Sequence, residues 1–144
     1  MPHSTQQYLQ AAIDLAYKNV DEGGSPFGSV IVRKQKIIAQ AVNEIHLCGD
    51  LTAHAEFLAI KQASQALGSH DLSDCVVYAS GQPCPFCLGT MALYGIKSAF
   101  YAYSGTQWRE VAPARNYAPV DSVWLNPSDS APLYNYWKQR QALV

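Results

Sequence analysis

"TAHAEFLAI" occupies residues 52–60, and its reading organises the rest of the chain. Alanine, leucine and glutamate favour helix, so the stretch is expected to belong to a helix over about residues 53–66, capped by Thr52 or Asp50. Inside it, His54 and Glu56 stand two apart among alanines. In mid-helix, residues two apart point to nearly opposite sides, so this pair serves no single core stripe. In a first turn, however, both side chains reach a point just beyond the helix end.

A second stretch, "PCPFCLGTMALYG" at residues 83–95, has the same form. Pro85 suits a first-turn position, and Cys84 and Cys87, three apart, share one face. Two helix starts can therefore aim one nitrogen and two sulfurs at one ion, a ligand set suited to zinc. Structural zinc sites close with four protein ligands, whereas catalytic ones keep a position for water. His54, Cys84 and Cys87 are three. Glu56 then lies within reach of that water without being a ligand, where a carboxylate acts as general base and then general acid.

Alone, neither motif decides the chemistry. H-x-E recurs by accident, and C-x-x-C also marks redox pairs and structural zinc sites. On consecutive helix starts with a strand between them, they point to one metal site. Cys48 and Cys75 read as ordinary buried or loop thiols, although the Cys48 loop precedes His54 and offers a candidate fourth ligand. His46 reads as a loop residue, and His3 and His70 as surface residues.

Outward from these helices, elements alternate. "QYLQAAIDLAYKNV" (residues 7–20) repeats apolar residues at helical spacing and ends at "DEGGSPFG". "FGSVIV" and "KIIAQAV", joined by "RKQK", read as a hairpin. "DCVVYAS" (74–80) and "IKSAFYAYS" (96–104) read as strands flanking the second motif. "REVAPARNYAP" reads as loop, "VDSVWLN" (120–126) as a last strand and "APLYNYWKQRQALV" (131–144) as a closing helix. Alternating helices and strands predict an α/β protein with a sheet covered on both faces.

The chain of 144 residues suits one domain, residues 1–144. Ten basic and 11 acidic residues give a net charge of −1, which offers nucleic acid and acidic membranes no general attraction. No apolar run is long enough to span a bilayer, and "MPHSTQQYLQ" has no signal-peptide pattern. The protein is expected in the cytoplasm, where its four cysteines serve as thiols or ligands rather than disulfides.

"HAE" followed by "PCPFC" resembles the H-x-E…P-C-x-x-C zinc signature of the cytidine and deoxycytidylate deaminase superfamily. The likeness runs through "SPFGSVIV", "AVNE", "TAHAEFLAI", "CVVYAS" and "PCPFCLGTMALYGIKSAFY", from about residue 8 to residue 103. It is strongest to the bacterial guanine deaminase branch, with cytosine deaminases and tRNA adenosine deaminases as neighbours. The resemblance implies a three-layer α/β/α sandwich around a five-stranded mixed sheet, one zinc per subunit and a homodimer. It also implies hydrolytic deamination of a free aminated heterocycle, with a guanine-like purine favoured. In the reaction so implied, water activated by zinc would attack the amine-bearing carbon, Glu56 would protonate the ring nitrogen, and ammonia would leave.

Asn43 matches a position where the guanine branch reads the base with an amide; locally it also reads as an Asn ending a strand in a turn. Phe27 and Phe86 read either as walls of a flat substrate slot or as ordinary core. With Ala55 and Asn43 they form the substrate-binding candidates. Two departures stand out. The guanine branch carries an acidic pair in the loop after its fourth strand, where this chain has "PARN" with Arg115, and Gln82 replaces the Glu common before Pro-Cys. Tyr134, Tyr136 and Trp137 resemble an aromatic segment that the branch lays over a partner's site, and read equally as one face of a helix packed on its own sheet. Three alternatives accompany the main reading: a cytosine or nucleoside deaminase, a tRNA adenosine deaminase suggested by Arg33, Lys34 and Lys36, and a non-catalytic zinc-stabilised binding module.

Overall fold

The first helix starts and stops on local signals. In the computed structural model, which describes residues 4–110, 119–125 and 132–142, α1 (Thr5–Asp21) begins at a capping box. The Ser4 hydroxyl accepts the Gln7 N–H at 3.2 Å, and the Gln7 carboxamide accepts the Ser4 N–H at 2.7 Å. It ends before Gly23, whose φ of 94° turns the chain back.

The next two strands, β1 (Gly28–Arg33) and β2 (Lys36–Val42), form the expected antiparallel hairpin. Its two-residue turn puts Lys34 and Gln35 in left-handed backbone, at φ 51° and 64°, as the right-handed strand twist requires. The Tyr8 hydroxyl pins this turn by donating to the Gln35 carbonyl at 2.8 Å. After the short α2 (Ile45–Cys48) come α3 (Ala55–Leu67), β3 (Cys75–Gly81), α4 (Pro85–Leu93), β4 (Ala99–Tyr103), α5 (Gly105–Arg109) and α6 (Pro132–Ala142).

The sheet runs β2-β1-β3-β4. β1 pairs antiparallel with both β2 and β3, while β3 and β4 are parallel. A parallel pair needs a crossover, and α4 provides it. Side chains alternate across the sheet. Val30, Val32 and Tyr78 face α1 and pack with Tyr8, whereas Ile31, Ala39 and Val77 face α3 and pack with Ala59, Ile60 and Ala63. Helices thus cover both faces, and the three-layer sandwich stands. α1 lies so close to β1 that a Cβ on Gly28 would sit 2.5 Å from the Ala12 carbonyl oxygen.

Five strands were expected, and four form among the described residues. The tract taken for the fifth carries Val120, Val123, Trp124 and Leu125 in exposed coil. Its apolar residues do not alternate, so it offers no face to bury as a strand. No helix among the described residues is long and apolar enough to cross a membrane.

Candidate active site

The helix beginning at Ala55 is capped by His54 itself, not by Thr52 or Asp50. Those two form a separate turn, in which the Asp50 carboxylate accepts the Thr52 N–H at 2.8 Å and the Thr52 hydroxyl at 2.7 Å. His54 has extended backbone, φ −78° and ψ 150°. Cys84 caps α4 in nearly the same conformation, φ −77° and ψ 166°. An N-cap residue lies half outside its helix, so both side chains are free to project past the helix end. Glu56 and Cys87 follow in the first turns of these helices.

The two helix starts meet. His54 Nδ1 lies 3.4 Å from Cys84 Sγ and 3.4 Å from Cys87 Sγ. The three donor atoms all fall within 4.8 Å of one another. Zinc bonds of about 2.0 Å to nitrogen and 2.3 Å to sulfur, at tetrahedral angles, separate the two ligand types by about 3.6 Å, so the donor set fits that ion. Nδ1 is the ring nitrogen of His54 that faces both sulfurs.

With three lone-pair donors converging, protons are held tightly. The Cys84 hydrogen bond raises the pKa of His54, against the opposing effect of burial. The Cys87 thiol is pushed far above its usual range by its hydrogen bond to Cys84 and by burial. A dication binds such a cluster by displacing those protons.

Glu56 is buried at 6 % exposure. Burial pushes its carboxyl up to about 7, partly offset by a hydrogen bond from Cys87. An acid in that range serves as donor and acceptor at neutral pH. Ala55, also buried, lies between His54 and Glu56 at the first helical position.

Phe86 stands edge-on to the His54 ring, with centroids 5.5 Å apart at 84°. It also meets Phe57 at 5.1 Å, beneath the Lys61 ammonium. Phe86 therefore supports the histidine ring. That contact and Phe57 were both missed in the sequence, where nothing but proximity to the motifs marks them.

Asn43 is buried at the end of β2, and its Oδ1 accepts the Ile45 N–H at 3.0 Å. The turn expected from local sequence is thus formed. Its remaining NH₂ is the edge that can donate to a ligand. Phe27 sits elsewhere, half-buried. It lines an apolar cavity of about 290 Å³ with Ile13, Tyr17, Pro26, Gly81 and Tyr103, and none of the metal-cluster residues lines that cavity.

Cys48 is not in the cluster. It is exposed, and its thiol donates to the Glu44 carbonyl at 3.3 Å. Cys75 is buried at the opposite end of β3, beside Asp74. Gln82 joins the loop before Cys84 to the start of α5, because its side-chain oxygen accepts the Gly105 N–H at 2.8 Å. Arg115 lies outside the described residues.

The family model for the zinc-binding region of cytidine and deoxycytidylate deaminases matches residues 2–103. The chain belongs to the cytidine and deoxycytidylate deaminase family. It is a zinc-dependent hydrolytic deaminase. A guanine deaminase of Bacillus subtilis is 43 % identical over 111 residues, covering 76 % of this chain and 70 % of the relative. The X-ray structure of guanine deaminase from Bacillus subtilis superposes with a TM-score of 0.79, at 34 % identity, over 96 % of this chain and 95 % of that one. A tRNA-specific adenosine deaminase of Aquifex aeolicus is 33 % identical over 97 residues, covering 67 % of this chain and 64 % of the relative.

Proposed function

We propose that this deaminase acts on a free nucleobase, guanine or a guanine-like purine, and releases ammonia. The observation that carries the reading is a buried carboxyl, Glu56, in the first turn of α3, two residues from one donor of a three-donor metal cluster. The relative named guanine deaminase and its structure support the choice of base. The net charge of −1 supports a small substrate over a nucleic acid.

His54, Cys84 and Cys87 hold the zinc. Zinc in a three-ligand site supplies a water acidic enough, with a pKa of about 7, to attack carbon at neutral pH. Glu56 does the proton work. It accepts a proton from the attacking water, delivers it to the ring nitrogen next to the reacting carbon, and assists protonation of the departing amine. One water is consumed, a carbonyl replaces the amine on the ring, and one ammonia is lost. Asn43 donates its NH₂ to an acceptor on the base edge. Ala55 offers only a methyl group, so the base can approach the start of α3. Phe86, beside the His54 ring, forms an apolar wall, whereas Phe27 lines the separate cavity.

The enzyme works in the cytoplasm as a homodimer whose aromatic C-terminal helix covers the partner's site. Tyr134, Tyr136 and Trp137 support this by standing exposed on α6, at 69 %, 59 % and 58 %. The test is an ammonia-release screen of guanine, cytosine, adenine, their nucleosides and tRNA. Guanine should be fastest. Cytosine turnover with guanine inert would overturn the choice of base. The tRNA-specific relative supports a second reading, which preferential deamination of tRNA would establish in its place.

A further inference from the structure

Asn19 has no part in the chemistry above, yet it is among the most buried polar residues described, at 2 % exposure. It lies near the end of α1, where a helical asparagine is an indifferent choice. Its carboxamide NH₂ makes two hydrogen bonds to other segments. It donates to the Ser25 carbonyl at 2.8 Å and to the Asn43 carbonyl at 2.9 Å. Both amide hydrogens are thereby used.

These bonds close a circuit. The Ser25 carbonyl also accepts the Phe27 N–H at 2.8 Å, and the Phe27 carbonyl accepts the Asn43 N–H at 3.1 Å. The Asn43 carbonyl then returns to Asn19. The circuit ties the end of α1, the turn before β1 and the end of β2. It contains the backbone of both Asn43 and Phe27, and none of its hydrogen bonds involves His54, Glu56, Cys84 or Cys87. There is no slack around it. A Cβ on Gly24 would collide with the His46 ring and the Asn19 carboxamide, and the Gly24 N–H donates to the Asn19 carbonyl at 2.7 Å.

A helix-ending asparagine that only capped its own helix would bond locally and face water. This one reaches across to two separate carbonyls. We infer that Asn19 is a positioning residue for the substrate pocket, setting where Asn43 stands by clamping the carbonyls of Ser25 and Asn43 together. The inference rests on the reading that Asn43 contacts the base. It separates the chain's machinery in two: α3 and α4 hold the metal and the proton carrier, and the Asn19 circuit holds the recognition edge.

The test compares Asn19→Asp, which keeps the shape but turns an oxygen toward both carbonyls, with Asn19→Ser, which is shorter and milder. Guanine kinetics, zinc content and melting temperature are measured for each, alone and combined with Asn43→Ala. Displacement of a binding group by about 1 Å can cost as much as 10²-fold. KM for guanine should therefore rise at least about tenfold in Asn19→Asp and less in Asn19→Ser, with kcat little changed and zinc near one per chain. A rise in KM at constant kcat marks lost ground-state binding. In the Asn43→Ala background the Asn19 effect should largely vanish, because coupled residues are not additive. A raised KM in Asn43→Ala with wild-type KM in folded Asn19 variants overturns the clamp alone. An Asn19 effect of equal size with and without Asn43 also overturns it, as does failure of both variants to fold with zinc. Wild-type KM in Asn43→Ala instead overturns the reading of Asn43 on which the clamp depends.

Discussion

Glu56 sits at a conflict between two local forces. The N-terminal end of a helix favours a negative charge, and burial opposes it. Burial wins here and pushes the carboxyl up to about 7. Glu56→Gln keeps the size and the metal donors, so the variant should retain about one zinc per chain while kcat falls by about 10²–10⁴. Zinc content measured beside ammonia release checks this, and activity within tenfold of wild type would make Glu56 a bystander. His54→Ala or Cys84→Ala should lose zinc and activity together. Chelating the wild-type protein should lower its melting temperature, by roughly 8–16 °C if free zinc had exceeded its dissociation constant a thousandfold. A chelator-insensitive melt would contradict the three-donor assignment.

At the scale of elements, the site depends on how tightly α1 and α3 hold the sheet. Gly28 permits the approach of α1, since a side chain there meets helix backbone rather than a flexible neighbour. Gly28→Ala should destabilise the fold by about 1–3 kcal/mol, the usual cost of overpacking. On the other face Ile60 is fully buried in the core beneath α3. Ile60→Ala should cost about 2–5 kcal/mol, with the lower end expected if neighbouring side chains close the gap. Denaturant midpoints measured with zinc saturating resolve both values. The helical periods and the hairpin were legible from apolar spacing, because that spacing reports which face is buried. The short α2 and α5 were not, because helices of four and five residues complete too few turns to show a period.

The whole molecule leaves much apolar surface on α6, where Leu133, Tyr134, Tyr136 and Trp137 are all more than half exposed. Exposed clusters of this kind mark association surfaces. Sedimentation should show a dimer. Trp137→Ala should weaken activity more than it changes the melting temperature, and a fully active monomer would refute the proposed assembly. With a net charge of −1, KM for a free base should shift by less than about twofold between low and moderate salt, in contrast to the steep salt dependence of phosphate-binding surfaces.

What the sequence determined by itself was local. The spacings of His54 to Glu56 and of Cys84 to Cys87 each place two side chains at one helix start, whatever the rest of the chain does. A donor set of one nitrogen and two sulfurs follows from residue types alone. Tertiary structure decided what depends on distant segments meeting. It brought His54 to within 3.4 Å of sulfurs 30 and 33 residues away, made His54 rather than Thr52 the helix cap, and left Cys48 outside the cluster. It also gave Asn19 its two carbonyl partners. Every residue carries a carbonyl, so no residue type in the sequence marks which ones a buried amide will find; only the packed backbone places them within reach.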